Sequence, residues 1–360
     1  MELNPLGPVL FIDTAGVDDE GTLGEERIKK TKKIYSRTDI GIIVTENKFG
    51  NYEEKILKEL SSVNIPVIIV FNKTDLNEIS EELLKELKYK KIKFVKTSVK
   101  NNTGIEELKK ELTELIPQEY KDSPSILGDL VGSGEMAILV VPIDKEAPKG
   151  RLILPQVQSI RDLLDSDAFC MVVKERELTE ALNRLNKPPK LVVTDSQVFL
   201  KVDGDVPPEI PLTSFSVLFS RFRGDLLTQA KGAMSIDSLK TGDKILVAEA
   251  CSHHPGNEDI ARVKIPRWLT QYVGGKLDFT TITGHDFPED LSTYKLIIHC
   301  GACMMNKREV MTRINRSNEV NVPITNYGLV IAKSLGILNR ALSPFPGILD
   351  ILKEDHENLY

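Results

Sequence analysis

The feature that most constrains the fold is a repeated alternation of short apolar runs with charged segments of helical spacing. Apolar runs rich in β-branched residues are typical of buried strands. Strands that alternate with helices pair in parallel, which predicts an α/β protein. The predicted strands are residues 8–12, 40–44, 67–71, 94–97, 136–141, 168–173, 190–194, 198–202, 244–249, 279–282, 295–298 and 322–325.

Length and charge limit the class of protein. A chain of 360 residues is expected to form two or three domains, and its net charge of -6 argues against nucleic acid as a partner. No apolar run approaches the roughly 18 residues that a membrane span needs. The N-terminus lacks the basic segment of a signal peptide, and four cysteines are too few for a disulfide scaffold. We therefore expect a cytoplasmic protein that contacts no membrane.

The first stretch, residues 1–120, has loops suited to guanine. Asp75 can accept hydrogen bonds from the ring N–H and the exocyclic amine of guanine together, a pair that adenine does not offer. The alkyl stem of Lys73 can cover the base, and Asn72 is expected to tie the loop to its neighbours. Ser98 and Val99, after the next predicted strand, would add a side-chain and a backbone donor.

A third loop, Asp13-Thr14-Ala15-Gly16, follows the first predicted strand. Asp13 is expected to hold Mg²⁺ through water, and Gly16 to let a backbone N–H approach the γ-phosphate. Each motif alone is weak. Their order, with each at a strand end, indicates a GTP-binding domain.

The phosphate loop G-x-x-x-x-G-K-[ST] does not occur in the sequence. The order of the other loops resembles the translation-factor-related GTPases, in which the phosphate loop comes several tens of residues before Asp-x-x-Gly. The strand before that loop is central, so residues 9–12 and 67–71 are predicted to flank a gap. We expect residues 1–120 to be a GTPase domain that lacks its phosphate loop and switch I because the N-terminus is incomplete. A degenerate GTPase is the alternative, and GTP hydrolysis by this chain stays open.

Residues 128–218 predict a second, small α/β domain that follows a polar linker. It contains no catalytic constellation, and Cys170 is expected to be a core residue. An assembly role is the default, in which an exposed edge strand pairs two copies.

Residues 222–360 predict a third α/β domain with two clusters of metal-ligand types. Cys251 and His253 follow one predicted strand, and His299, Cys300 and Cys303 follow another. Open α/β sheets place their sites past the carboxyl ends of strands. A third strand end carries Thr325, Asn326 and Tyr327, for which we predict hydrogen bonds to the ligands and control of access.

The choice of metal stays open at this point. Structural zinc sites use four closed ligands, usually as two paired motifs. Three thiolates with an exchangeable fourth position suit a [4Fe–4S] cluster with one distinct iron. A closed site would need His253 or His299 as the fourth ligand. The residues alone favour iron–sulfur over zinc only slightly.

A GTPase-type domain with these two clusters at its far end resembles the HydF family, the scaffold or carrier GTPases of [FeFe]-hydrogenase maturation. The likeness includes Asp-Thr-Ala-Gly, residues 147–156, residues 263–269 and both clusters. It implies three α/β domains: a partial P-loop-type GTPase domain, a dimerisation domain and a cluster domain. It also implies that the family's three cysteines, here Cys251, Cys300 and Cys303, hold a [4Fe–4S] cluster with a labile fourth site, with His253 and His299 as candidate ligands.

The same resemblance implies partners and cofactors. These are GTP or GDP with Mg²⁺, a second copy of the chain, two radical-SAM maturases, and a transient di-iron precursor that is delivered to apo-[FeFe]-hydrogenase. We expect the nucleotide to gate partner exchange, because γ-phosphate contacts order or release loops.

Overall fold

Parallel sheets form the framework of the chain, which confirms the α/β class. The structure is a computed structural model that describes residues 1–4, 7–14, 31, 33–116, 125–142, 150–250 and 259–357. Two compact units, Met1–Ser123 and Pro124–Tyr360, divide the chain. Within those described ranges, no helix has the length and apolar character required to cross a bilayer.

The first unit contains a three-stranded parallel sheet in the order β3-β4-β5. The central strand β4 is buried on both faces: Ile68 packs with Leu112 on one side, and Ile69 packs with Leu87 on the other. Such two-sided burial explains its continuous apolar sequence. The elements are β1 (Glu2–Leu3), β2 (Gly7–Pro8), β3 (Gly41–Thr45), α1 (Asn51–Ser62), β4 (Val67–Phe71), α2 (Glu81–Tyr89), β5 (Lys93–Lys96) and α3 (Ile105–Leu115).

The predicted strand at residues 8–12 is wrong beyond its first residue. Residues 9–14 form no strand, and the Leu10 side chain is 80% exposed. β4 pairs with β3 and β5, so the predicted gap beside residues 67–71 is also wrong. Among the described strands, β3 is one of the two edges of this sheet, and its Val44 is 64% exposed. An apolar run becomes a strand only where a neighbour accepts its backbone hydrogen bonds, and residues 10–12 have no such neighbour among the described residues.

The second unit begins with a parallel sheet in the order β7-β6-β8-β9. The predicted strand at residues 198–202 is wrong: these residues end a 3₁₀ turn, Ser196–Val198, and begin α7. Phe199 and Val202 are three residues apart and both buried, which fits a helix. The elements are α4 (Gly128–Val131), β6 (Met136–Val140), α5 (Leu154–Asp165), β7 (Phe169–Val173), α6 (Leu178–Asn183), β8 (Leu191–Thr194), α7 (Phe199–Asp205), β9 (Leu212–Ser214), α8 (Phe215–Arg223) and α9 (Leu226–Met234).

A third parallel sheet, in the order β11-β10-β12-β13, completes the second unit. Its apolar strands place Leu246 and Ile297 on one face and Val247 and Ile298 on the other, and helices cover both faces. The elements are β10 (Lys244–Glu249), a π-helical turn (Ile260–Lys264), α10 (Ile265–Val273), β11 (Asp278–Thr283), β12 (Leu296–His299), α11 (Lys307–Glu319), β13 (Ile324–Asn326), α12 (Tyr327–Ser334), α13 (Leu338–Ala341) and α14 (Pro346–Glu357).

Helices that follow the last sheet pack into the hydrophobic core of the middle sheet. Leu329 and Ala341 from the C-terminal helices pack in the same cluster as Ile138 of β6. Hydrogen bonds reinforce this packing, since Thr213 Oγ1 donates to the carbonyl of Ala341 at 2.8 Å. α9 also passes very close to β13, where a Cβ on Gly232 would lie 2.0 Å from the Ile324 carbonyl oxygen. The last sheet is therefore fixed to the middle one by packing and by backbone contact.

Candidate functional site

The carboxyl ends of three strands lie in a row at one edge of the last sheet. Ala248 of β10 is opposite His299 of β12, which is opposite Asn326 of β13. Cys300 therefore leaves the sheet beside the end of β10, after which Cys251 follows in sequence. Cys251 and His253 lie outside the described residues.

Cys300 sits in a turn that points backbone N–H groups at its sulfur. Its Sγ accepts hydrogen bonds from the backbone N–H of Ala250 at 3.0 Å and of Ala302 at 3.4 Å. Ala302 has a left-handed φ of 53°, and the C-x-x-C turn brings the partly buried Cys303 against the core of the second unit. Both cysteines are thiols, with no disulfide to each other. Donors of this kind stabilise a thiolate, so the two described cysteines of the three fit a thiolate-bound metal or iron–sulfur cluster.

Within the described ranges, no group of three or more His, Cys, Asp or Glu side chains is arranged to hold a metal ion. The third predicted thiolate, Cys251, falls in the segment that the structure does not describe.

His299 is buried, and both of its ring nitrogens are engaged. Its Nδ1 lies 2.9 Å from the carbonyl oxygen of Cys300, to which it donates. Its Nε2 accepts a hydrogen bond from Arg313 Nη1 at 3.0 Å. Burial, and then the neighbouring Arg313 cation, lower the pKa of His299 to about 4. A neutral imidazole with its proton on Nδ1 satisfies both of these hydrogen bonds.

Arg313 belongs to a buried charged network that sequence reasoning missed. Its guanidinium donates to the Gly284 carbonyl at 2.9 Å and to Glu309 Oε1 at 3.1 Å. Glu309 in turn lies 3.0 Å from Nδ1 of the half-exposed His285. Burial lowers the pKa of Arg313, whereas Glu309 and then Cys300 act to raise it. The only signal in the sequence was the i,i+4 spacing of Glu309 and Arg313, which usually marks an exposed helix face.

Of the predicted neighbours at residues 325–327, Asn326 has hydrogen-bond partners in the structure. Asn326 Oδ1 accepts from the backbone N–H of Leu329 at 2.9 Å and so caps α12. Its Nδ2 donates to the carbonyl of Ser216 at 2.7 Å. Thr325 Oγ1 is buried without a hydrogen-bond partner among the described residues. Tyr327 is buried on the face that carries Ile298.

The predicted guanine loop is preformed in the first unit. Ser98 Oγ donates to Asp75 Oδ1 at 2.6 Å, and this bond is the largest cause of the lowered pKa of Asp75. Asn72 Oδ1 accepts from Thr97 Oγ1 at 3.3 Å, which joins the two loops. Lys73 has a left-handed φ of 59° and pairs with Glu46, and the side chain of Val99 is exposed. Five predicted residues thus lie on two joined loops at the carboxyl ends of β4 and β5.

The Mg²⁺ and γ-phosphate loop is described only in part. Asp13 and Thr14 are exposed, and Ala15 and Gly16 lie outside the described residues. The position of the complete Asp13–Gly16 loop relative to Asp75 and Ser98 is therefore not described.

Comparison with protein families divides the chain into three matched regions. The Ras family model matches residues 9–118, the hydrogen maturase F dimerization domain matches residues 126–224, and the hydrogen maturase F tetramerization domain matches residues 227–344. The two maturase models together account for most of the chain beyond the first unit, which confirms the resemblance seen in the sequence.

The curated proteins that are similar to this chain are GTPases that match only part of it. The tRNA modification GTPase MnmE of Prochlorococcus marinus is 41% identical over 105 residues, which are 28% of this chain and 22% of that protein. GTPase Era of Carboxydothermus hydrogenoformans is 34% identical over 119 residues, 31% of this chain and 40% of that protein. GTPase Era of a Thermoanaerobacter species is 28% identical over 188 residues, 46% of this chain and 61% of that protein. The chain thus spans less than two thirds of the length of each of these relatives.

A Ras-like domain followed by two oligomerisation domains defines a multidomain GTPase-type protein of hydrogenase maturation. The chain belongs to the hydrogen maturase F, or HydF, family.

Proposed function

We propose that the chain is a scaffold of [FeFe]-hydrogenase maturation that binds a [4Fe–4S] cluster through Cys251, Cys300 and Cys303. The observation that carries the proposal is the Cys300 turn, where two backbone N–H groups converge on a sulfur at a sheet edge. Family membership supports the biological process, and the thiol donor set supports the kind of cofactor.

Three thiolates leave one iron of such a cluster with an exchangeable ligand, which is the position at which a di-iron precursor would attach as cargo. The described residues around the cysteines form the protein part of the site. Cys300 and Cys303 are held by the C-x-x-C turn, and α11, a helix of 13 residues, begins soon after them at Lys307 with Asn306 as its cap. Delivery to an apo-hydrogenase, with the precursor made by radical-SAM maturases, is the role we assign to this site.

Anaerobic reconstitution with iron and sulfide tests the cluster. The wild-type chain is expected to turn brown with broad visible absorption and to hold about four irons and four sulfides. Cys300→Ala and Cys303→Ala should lose most of both. Cys170→Ala is the matched control, because Cys170 lies on β7 in the middle sheet, packed against its core. Equal iron content in all four proteins would sink the proposal.

The alternative function is a regulatory GTPase with a structural zinc domain, which the same thiols could serve. Its signature in that experiment is a colourless protein with one zinc per chain that is lost in Cys300→Ala.

We also propose that the first unit recognises the guanine base of GTP or GDP bound with Mg²⁺, as part of a regulatory GTPase switch. The joined loops that carry Asp75 and Ser98 support guanine recognition, and the Ras family match supports the class. Nucleotide state is expected to change the affinity for the maturases, because γ-phosphate contacts order or release loops. Titration of one maturase onto the chain with GTP and then with GDP tests this, and identical affinities would overturn it.

The exposed edge of the middle sheet favours assembly of the chain as a homodimer. β7 is hydrogen-bonded only to β6 among the described strands, and its Phe169 is 60% exposed. Val172 on the same strand and Val157 and Leu164 on the adjacent α5 are exposed as well. An apolar edge strand of this kind readily pairs with a second copy. We propose that the β7 edge together with α5 is the dimer surface.

A further inference from the structure

We propose that Arg313 is a positioning residue of the candidate cluster site, which holds His299 as a structural imidazole and so keeps it from becoming the fourth cluster ligand. The inference rests on the proposed function, because it concerns the same site. It assigns a role to Arg313 and takes the predicted ligand role away from His299.

The geometry around His299 carries the inference. A neutral imidazole has one N–H donor and one lone pair. The donor of His299 is used by the Cys300 carbonyl at 2.9 Å, and the lone pair is used by Arg313 at 3.0 Å. For His299 to bind iron, either bond would have to break inside a site where both residues are almost completely buried.

Contacts with residues other than His299 hold Arg313 in place. Arg313 can therefore set the orientation of the His299 ring. Gly284 and Glu309 accept from Nη2 at 2.9 and 3.1 Å. The guanidinium carbon also lies 5.0 Å from the ring centroid of Phe287, a cation–π distance. A planar guanidinium held on these sides presents Nη1 to His299 in one direction.

The buried charge of Arg313 also suits a thiolate site. Arg313 is 2% exposed and hydrogen-bonds to His299, the residue next to Cys300 in the chain. Three thiolates give a [4Fe–4S] cluster a net negative charge that increases on reduction. A nearby buried cation offsets that charge, and its influence is strong because the surroundings are of low polarity.

The first test uses the cluster-free wild-type chain labelled with ¹⁵N-histidine. Nitrogen chemical shifts are expected to show His299 protonated on Nδ1 and accepting a hydrogen bond on Nε2, with the signal assigned through His299→Gln. A protonated Nε2 would overturn the inference.

The second test uses the reconstituted, reduced protein and pulsed EPR. The wild-type cluster should show no strongly coupled His299 nitrogen, and His299→Gln should keep its iron content and spectrum. Arg313→Met releases the Nε2 lone pair, so a coupled nitrogen from His299 is expected to appear. The midpoint potential of that variant should become more negative, since a positive charge has been removed.

Arg316→Met is the matched control, because Arg316 lies on the same helix and against the same Phe287 but donates to Pro288 and Glu289. It should leave both the nitrogen coupling and the potential unchanged. If Arg313→Met does not fold, the test uses Arg313→Lys instead. The nitrogen coupling of the wild-type cluster then shows whether His299 is a ligand.

The outcomes separate the inference from the function it rests on. A wild-type cluster with a strongly coupled His299 nitrogen overturns the inference and leaves the scaffold function intact. A wild-type chain that takes up no iron overturns both.

Discussion

Ser98 Oγ donates a 2.6 Å hydrogen bond to Asp75 Oδ1, which joins side chains from loops that follow two neighbouring strands. The bond stabilises the ionised carboxylate and is the main cause of the lowered pKa of Asp75. An ionised Asp75 is the form that accepts both guanine donors. Under the proposed function, this bond also orients the Asp75 carboxylate for the base.

Ser98→Ala is expected to raise the pKa of Asp75. The carboxylate with a lowered pKa stays ionised as the pH falls past its ordinary range, and loss of the Ser98 donor moves that transition to higher pH. Titration of the ¹³C-labelled Asp75 carboxyl by NMR measures it. Ser62→Ala removes a remote exposed hydroxyl on α1 and should leave the Asp75 transition unchanged. An unshifted Asp75 in Ser98→Ala would contradict the assignment.

Asp75→Asn is expected to change base specificity. The amide replaces one acceptor by a donor, which suits the second carbonyl of xanthine and not the exocyclic amine of guanine. Loss of one charge-assisted hydrogen bond corresponds to a fall of roughly 10- to 150-fold in affinity for GDP. Titration with fluorescent GDP and XDP measures both, and an unchanged ratio of the two affinities would show that Asp75 does not contact the base.

Some secondary-structure elements could be predicted from the local sequence, and others could not. β4 and β12 were predictable because a strand buried on both faces has a continuous apolar sequence. Residues 199–205 were not, because a short apolar run fits a strand or a helix equally well, and here the core contacts of Phe199 and Val202 decide for a helix. The apolar run at residues 10–12 is not a strand, because no described segment pairs with it.

Some residues of the candidate site were also predictable from local sequence, and others were not. Cys300 and Cys303 were recognisable from their spacing, because ligand types at a strand end are a local pattern. The burial of Arg313 was not, because an arginine beside a glutamate one turn away normally faces water. Arg313 on α11 donates a hydrogen bond to His299 at the end of β12. This contact joins two segments that are distant in sequence, so it could not be predicted from a local pattern.

Phe169→Glu is expected to convert the proposed dimer into monomers. The substitution places a charge at the start of the apolar β7 edge, where pairing would bury it. Phe169 is 60% exposed, so the fold of one copy should be retained. Sedimentation or light scattering measures the mass, and Tyr89→Glu on α2, another exposed aromatic, is the control that should not change it. A Phe169→Glu protein that stays dimeric would place the interface elsewhere.

Asn326→Ala tests two roles at once. Its amide caps α12 through the Leu329 N–H and ties the last sheet to Ser216, so the free energy of unfolding should fall by about 1–3 kcal/mol. Asn318→Ala at the exposed end of α11 is the control, with a change within about 0.5 kcal/mol. Chemical denaturation gives both values. The predicted influence of Asn326 on the cluster requires in addition that its midpoint potential shift in the reconstituted protein. A loss of stability with an unchanged potential would leave Asn326 as a cap and a tie between sheets, and would remove it from the cluster site.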